Sequence, residues 1–123
     1  MTQWNDADLA EVGAAEELDL ESERADGTLR DPVTMCVVRA GDHVYVPSVK
    51  GTGGRWYRGT QSRHRGRVDA GGVRRDVTFR PADPGEYAAV DAAYREKYGR
   101  YTSIVEHVLT DRARESTLRL EPR

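Results

Sequence analysis

One cysteine, one phenylalanine and three histidines in 123 residues rule out several kinds of protein at once. The lone Cys36 has no intrachain partner for a disulfide, and in the apolar run Val33 to Val38 it reads as a small core hydrophobe. His43, His64 and His107 are far apart, and none is spaced with a cysteine, a carboxylate or a second histidine as metal ligands are, so no metal site is expected. No G-x-S-x-G turn is present to carry a hydrolase serine. A charged-then-apolar leader is missing from the N-terminus, as is any run near the roughly 20 apolar residues that cross a bilayer. The expectation is therefore a cytoplasmic protein without a membrane segment. No internal repeat or low-complexity tract is seen.

What is present is polar but patterned. Hydrophobic residues make up 37% and the mean hydropathy is -0.75, yet the apolar residues gather in periodic blocks that argue against disorder. The length fits one domain over residues 1–123. Net charge is only -2, but it is unevenly placed. Residues 1–31 hold ten carboxylates against Arg24 and Arg30, whereas residues 39–80 hold Lys50 and nine arginines against Asp42, Asp69 and Asp76. A basic middle suits an anionic partner, either a phosphorylated small molecule or a nucleic acid.

Asn5 and Asp6 offer caps to a short helix carrying Leu9, Val12 and Ala15, and residues 1–30 form an acidic helical lead-in. Leu18 and Leu20 alternate with acids, as in an edge strand or an extended lead-in, before the turn signal Asp26-Gly27. Val33 to Val38 reads as one strand covered on both faces, and Val44-Tyr45-Val46 as its hairpin partner, ended by Pro47. Trp56 to Thr60 is left open between strand and helix. Gly66 to Ala70, Gly71-Gly72 and Val73 to Phe79 read as another hairpin, so that residues 31–80 hold the barrel strands. Asp83-Pro84-Gly85-Glu86 begins a helix bearing Tyr87, Val90, Tyr94 and Tyr98, with Gly99 as a left-handed terminator, and a second short helix follows within residues 83–110. Residues 116–121 alternate again and close the sheet.

The stretch Ser48 to Arg58 is the candidate ligand site. Its glycines and Lys50 make a loop whose amides can face an oxyanion, and Trp56-Tyr57 adds a flat apolar surface. The competing reading is a glycine-rich connection closed by core aromatics. Arg63-His64-Arg65-Gly66-Arg67 with the nearby aromatics admits a nucleic-acid reading, which the sequence pI of 5.9 and the acidic first third disfavour. The tyrosine stripe reads first as core, although a tyrosine hydroxyl can also give a proton to a substrate.

The runs VTMCVVRAGDHVYVPSVKGTGGRWYR, RVDAGGVRRDVTF, AAYREKYGRY and TLRLEP resemble, in order, the motifs of deazaflavin-dependent nitroreductases, whose split β-barrel is related to flavin mononucleotide-binding oxidases. The likeness is closer still to a family of small bacterial proteins of that superfamily, a domain of unknown function, and covers nearly the whole chain. The resemblance implies an α+β fold: a mostly antiparallel split barrel of about six strands, with an N-terminal helix and two helices before the last strand. It further implies an FMN or deazaflavin cofactor whose phosphate meets Ser48, Lys50, Gly51, Gly53 and Gly54. Arg30 would reach the same anion, with Trp56 and Tyr57 at the barrel wall. Tyr94, Tyr98 and Tyr101 match the segment that borders substrate in those enzymes, which makes Tyr94 and Tyr98 the candidate proton donors, and a homodimer is implied as well. Two departures touch cofactor-binding parts: Arg58-Gly59-Thr60-Gln61 replaces an Asn-Leu pair, and the lead-in shrinks to Gly27-Thr28-Leu29-Arg30. The expected function is a flavin- or deazaflavin-dependent oxidoreductase. The alternatives are a non-catalytic cofactor-binding protein of the same fold and, third, a nucleic-acid-binding module.

Overall fold

Residues 3–48 and 55–123 are described by the computed structural model. Asn5 caps the first helix by accepting the Asp8 N–H at 2.8 Å, and α1 (Asp6–Ala14) buries Leu9 and Val12. Four strands follow: β1 (Leu18–Ser22), β2 (Val33–Met35), β3 (Val38–Ala40) and β4 (His43–Val46). Next come α2 (Arg55–Thr60) and a hairpin of β5 (Arg65–Ala70) and β6 (Val73–Pro81), turned by Gly71 and Gly72 at φ 58° and 83°. A 3₁₀ turn (Pro84–Glu86) leads into α3 (Tyr87–Tyr98), α4 (Thr102–Val108), α5 (Asp111–Glu115) and β7 (Leu118–Pro122).

The seven strands form one antiparallel sheet in the order β2-β1-β5-β6-β7-β4-β3. Laid flat, its outer strands would stand roughly 30 Å apart. Yet β2 and β3 lie at opposite edges with only Cys36 and Val37 between them, a span that chain geometry limits to roughly 11 Å. The sheet must therefore curl until its edges nearly meet. The result is the expected α+β split barrel, with seven strands instead of about six and three helices instead of two between β6 and β7.

Three local readings are corrected, and the one left open, at Trp56 to Thr60, is decided. Val33 to Val38 is not one strand: the chain crosses from edge to edge within it, Val33 is 37% exposed, and β4 is the strand whose Val44, Tyr45 and Val46 are all buried. β1 is no edge, since it pairs with both β2 and β5. Trp56 to Thr60 is helical. Gly99 is right-handed at φ -57°, ψ -29°, so α3 ends without a left-handed cap.

Two cores result. The inner one gathers Leu18, Leu20, Val44, Val46, Phe79 and Leu120 beneath Leu9 and Val12 of α1 and Tyr57 of α2. It is tied by the Trp4 indole N–H, which donates to Leu120 O at 2.9 Å. The outer one packs Val38 and Tyr45 against Val90, Tyr94 and Tyr98 of α3 and Val108 of α4.

At the start of α3, Glu86 accepts from the Tyr45 hydroxyl at 2.7 Å, Arg119 at 2.6 Å and the Asp83 N–H at 2.7 Å. Burial pushes its carboxyl up, but those bonds outweigh it and the group ends below the usual 4.5. A carboxyl with a depressed folded pKa adds stability that is complete above its unfolded value and is lost as pH falls through the folded one. Melting curves taken from neutral pH to about pH 3 should thus show wild type losing more stability than Glu86→Gln below about pH 4.5. Parallel curves would remove Glu86 from the acid response.

Candidate functional site

Ser22 at the end of β1, Arg24, Arg30 and Asp31 in the β1–β2 turn, and Trp56 on α2 surround a cavity of about 870 Å³. Its walls combine apolar Leu20, Val33, Met35 and Pro47 with Arg24, Arg30, Asp31 and Arg55. None of these three arginines forms an ion pair among the described residues; Arg30 instead donates to Glu23 O at 2.8 Å and Gly59 O at 3.1 Å. Gly59 makes this approach possible, because a Cβ there would stand 3.0 Å from Ser22 Oγ and 3.4 Å from Arg30 Cδ. Trp56 meets Tyr57 edge to face, with centroids 6.2 Å apart, while Tyr57 turns inward and is buried in the inner core. Arg30 and Trp56 therefore share one cavity.

The expected phosphate contacts Lys50, Gly51, Gly53 and Gly54 lie outside the described residues. The chain on either side of them, at Pro47 and at Arg55, lines the cavity. Ser48 is fully buried, is not among the lining residues, and its carbonyl accepts from Ser116 Oγ at 2.9 Å.

A second cavity of about 440 Å³ lies across the Thr34–Cys36 wall, lined also by Glu16, Glu17, Tyr98, Tyr101 and Ile104. Tyr98 borders this space, but its hydroxyl is engaged with the main chain. It accepts the Val37 N–H at 3.2 Å and donates to Glu16 O at 2.8 Å, with Val37 O at 3.1 Å. Lys97 adds bonds to Gly13 O at 2.9 Å, to Ala15 O and to Val37 O at 2.7 Å. Together the two side chains satisfy the Val37 main chain at the crossing from β2 to β3 and the Gly13, Ala15 and Glu16 carbonyls left over where α1 ends. Tyr94 lines neither cavity; it has no exposed surface, and among the described residues its hydroxyl has no hydrogen-bond partner.

Burial pushes the Tyr98 hydroxyl up to about 12. Its folded pKa being raised, the stability it adds is complete below pH 10 and is lost as pH climbs toward 12. The two tyrosines should respond oppositely to loss of the hydroxyl. Tyr98→Phe should cost about 1 to 3 kcal/mol, whereas Tyr94→Phe, which removes an unpartnered buried hydroxyl, should be neutral or slightly stabilising. Urea midpoints separate the two, and equal losses would contradict this assignment of bonds.

The arginines of the basic passage are held in ion pairs, two of them sharing one carboxylate. Arg63 and Arg65 pair with Glu23 at 3.0 and 3.3 Å, and Arg67 pairs with Asp76 at 3.0 Å. Among the described residues no group of His, Cys, Asp and Glu is able to hold a metal, and no helix is long and apolar enough to cross a membrane.

Sequence composition hides two of the cavity's arginines. Arg24 stands in an acidic segment and Arg55 beside the glycines, so charge counting registers both without singling either out as a site residue. The usable signal was their position at the ends of a turn and of a loop.

A family model described as uncharacterized protein conserved in bacteria (DUF2255) matches residues 8–120. Comparison with curated proteins gives no match. Among solved structures, an F420-H2 dependent reductase (FDR-A) is 20% identical, with a TM-score of 0.65 over 86% of this chain and 94% of its own. HutZ, the heme storage protein of Vibrio cholerae, is 12% identical, with a TM-score of 0.63 over 96% and 89%. A FAD-binding protein from Mesorhizobium loti is 13% identical, with a TM-score of 0.60 over 98% and 89%. At these identities the likeness is one of fold.

Proposed function

We propose, for a chain that belongs to this bacterial family (DUF2255), that the larger cavity binds a flavin- or deazaflavin-type cofactor and that the protein is an oxidoreductase of nitroreductase-like type. The observation that carries the reading is the cavity itself. About 870 Å³ falls within the range of roughly 300 to 1,000 Å³ usual for small-molecule sites, and its lining suits a flat ring with an anionic tail. Arg24, Arg30 and Arg55 would hold the negative charge, Trp56 would flank the ring, and Val33 and Met35 would exclude water. Lys50, Gly51, Gly53 and Gly54 are the proposed phosphate contacts of the adjoining loop, whereas the burial of Ser48 outside the cavity lining argues against the contact expected of it. A bound flavin or deazaflavin supplies hydride transfer to an acceptor. Solved structures of the same fold with F420-H2 dependent reductase and FAD-binding descriptions support the reading.

A non-catalytic cofactor-binding protein is the second reading, favoured by one observation. Tyr98 donates to the main chain and Tyr94 is fully buried and lines neither cavity, so neither hydroxyl is placed to pass a proton to a substrate there. Fluorescence titration with FMN and with a deazaflavin cofactor tests both readings. Arg55→Ala should weaken binding about 10- to 100-fold if its guanidinium bonds the anion. Oxidation of the reduced cofactor by a nitro compound supports the oxidoreductase, and tight binding without turnover supports the second reading. If neither cofactor binds, both fall. A homodimer is proposed by resemblance alone, and light scattering reads it.

A further inference from the structure

Glu23 receives three guanidiniums: Arg63 at 3.0 Å, Arg65 at 3.3 Å and Arg123 at 3.4 Å. Its side chain is 13% exposed, while those of its partners are 34%, 37% and 36% exposed. Two more arginines reach the same turn, Arg30 through Glu23 O and Arg24 through Leu29 O at 2.8 Å. Besides Glu23, Asp26 acts on Arg24, and Asp31 lines the larger cavity together with Arg24 and Arg30. Asp26 is already engaged, taking the Thr28 N–H at 3.0 Å and the Thr28 hydroxyl at 2.7 Å. Positive charge is thus in surplus where like charges crowd around one half-dried carboxylate, an arrangement that an added anion relieves.

The donors to receive such an anion are present. A guanidinium carries five N–H groups in a planar fork. Among the described residues Arg65 commits its Nε and Arg123 one terminal nitrogen, both to Glu23, and the remaining donors sit on side chains about a third exposed. Arg24 and Arg30 belong to this cluster and also line the larger cavity, so the two are contiguous. The surplus does not continue along the sheet. Arg67, Arg74 and Arg80 are each matched by Asp76, Asp69 and Glu121, so no basic stripe runs on for a polymer to follow.

We infer that the arginines gathered on Glu23 form a second anion site, opening off the cavity through Arg24 and Arg30, for an oligo-anionic small molecule such as one bearing an oligophosphate. That a single ligand spans both places rests on the cofactor reading of the cavity; the anion site itself does not. Calorimetry on the full chain with inorganic tripolyphosphate and with inorganic phosphate, at matched ionic strength, tests it. Tripolyphosphate should bind at least about tenfold tighter than phosphate. Arg65→Ala and Arg123→Ala should each weaken tripolyphosphate about tenfold while leaving FMN affinity within about twofold, and Glu23→Gln should strengthen the oligo-anion.

Equal affinity for the two anions, or tripolyphosphate binding unmoved in both arginine variants, overturns the inference. A single-stranded oligonucleotide that outcompetes tripolyphosphate with a steep salt dependence overturns it too. Tripolyphosphate held through Arg65 and Arg123 in a protein that takes neither flavin nor deazaflavin leaves the anion site standing and removes the cofactor. The opposite pair of results removes the anion site alone.

Discussion

Gly66→Ala is expected to destabilise the fold by roughly 3 kcal/mol, the upper part of the range for forcing extra atoms into a packed site. A Cβ at this position would stand 2.1 Å from Glu21 O, 3.0 Å from Glu21 C and 3.0 Å from Ser22 Cα. All three are backbone atoms of β1, so no flexible side chain is available to swing aside. β1 is itself fixed, paired to β2 on one side and to β5 on the other. Relief would require parting β1 from β5 where Ser22 faces Gly66, and the Glu23 N–H bond to Arg65 O at 3.0 Å lies next to the breach. Gly85→Ala is the control, since nothing lies within 4 Å of a Cβ there, and it should stay within about 0.5 kcal/mol of wild type. Urea unfolding of both variants decides the matter. A Gly66→Ala midpoint equal to that of Gly85→Ala would mean the strands are not in the close register described.

Lys97→Met should cost a similar amount, roughly 3 kcal/mol, for a different reason. The methionine keeps the apolar stem but removes the ammonium that binds Gly13 O, Ala15 O and Val37 O. Burial already pulls the Lys97 pKa below its usual 10.5, so the charged group is held against a desolvation penalty by those carbonyls. Without it three partly buried acceptors lose their donor, and the link between α1, the β2–β3 crossing and α3 is cut. Hydrogen exchange should report faster opening at residues 36–38 than in the β5–β6 hairpin. A loss under about 1 kcal/mol would show that water replaces the ammonium without difficulty.

These two positions mark where sequence reading stops. The hairpin at Gly71-Gly72 and the helix start at Asp83-Pro84 are legible because the residues that make them are neighbours. The break at Cys36-Val37 is not, because Val33-Thr34-Met35 and Val38 have the same β preference on either side and the crossing is imposed by closure of the whole sheet. α5 spans five residues, too few for a periodic signal. Arg30 and Trp56, singled out through the resemblance, both line the larger cavity. The work of the tyrosines is not legible, since it depends on which main-chain groups the curled sheet leaves unmatched. Gly66 gives no local hint either, as its need for hydrogen in place of a methyl comes from a strand more than forty residues away.

β7 lies between β6 and β4 and is the piece that unites the β2-β1-β5-β6 ribbon with the β4-β3 ribbon. During translation β4 leaves the ribosome long before residues 118–122 exist, and in that interval its bare edge is open to any passing strand. A product cut short of Leu118 would leave β4 and β6 with facing edges unpaired and is expected to fall to cellular proteases.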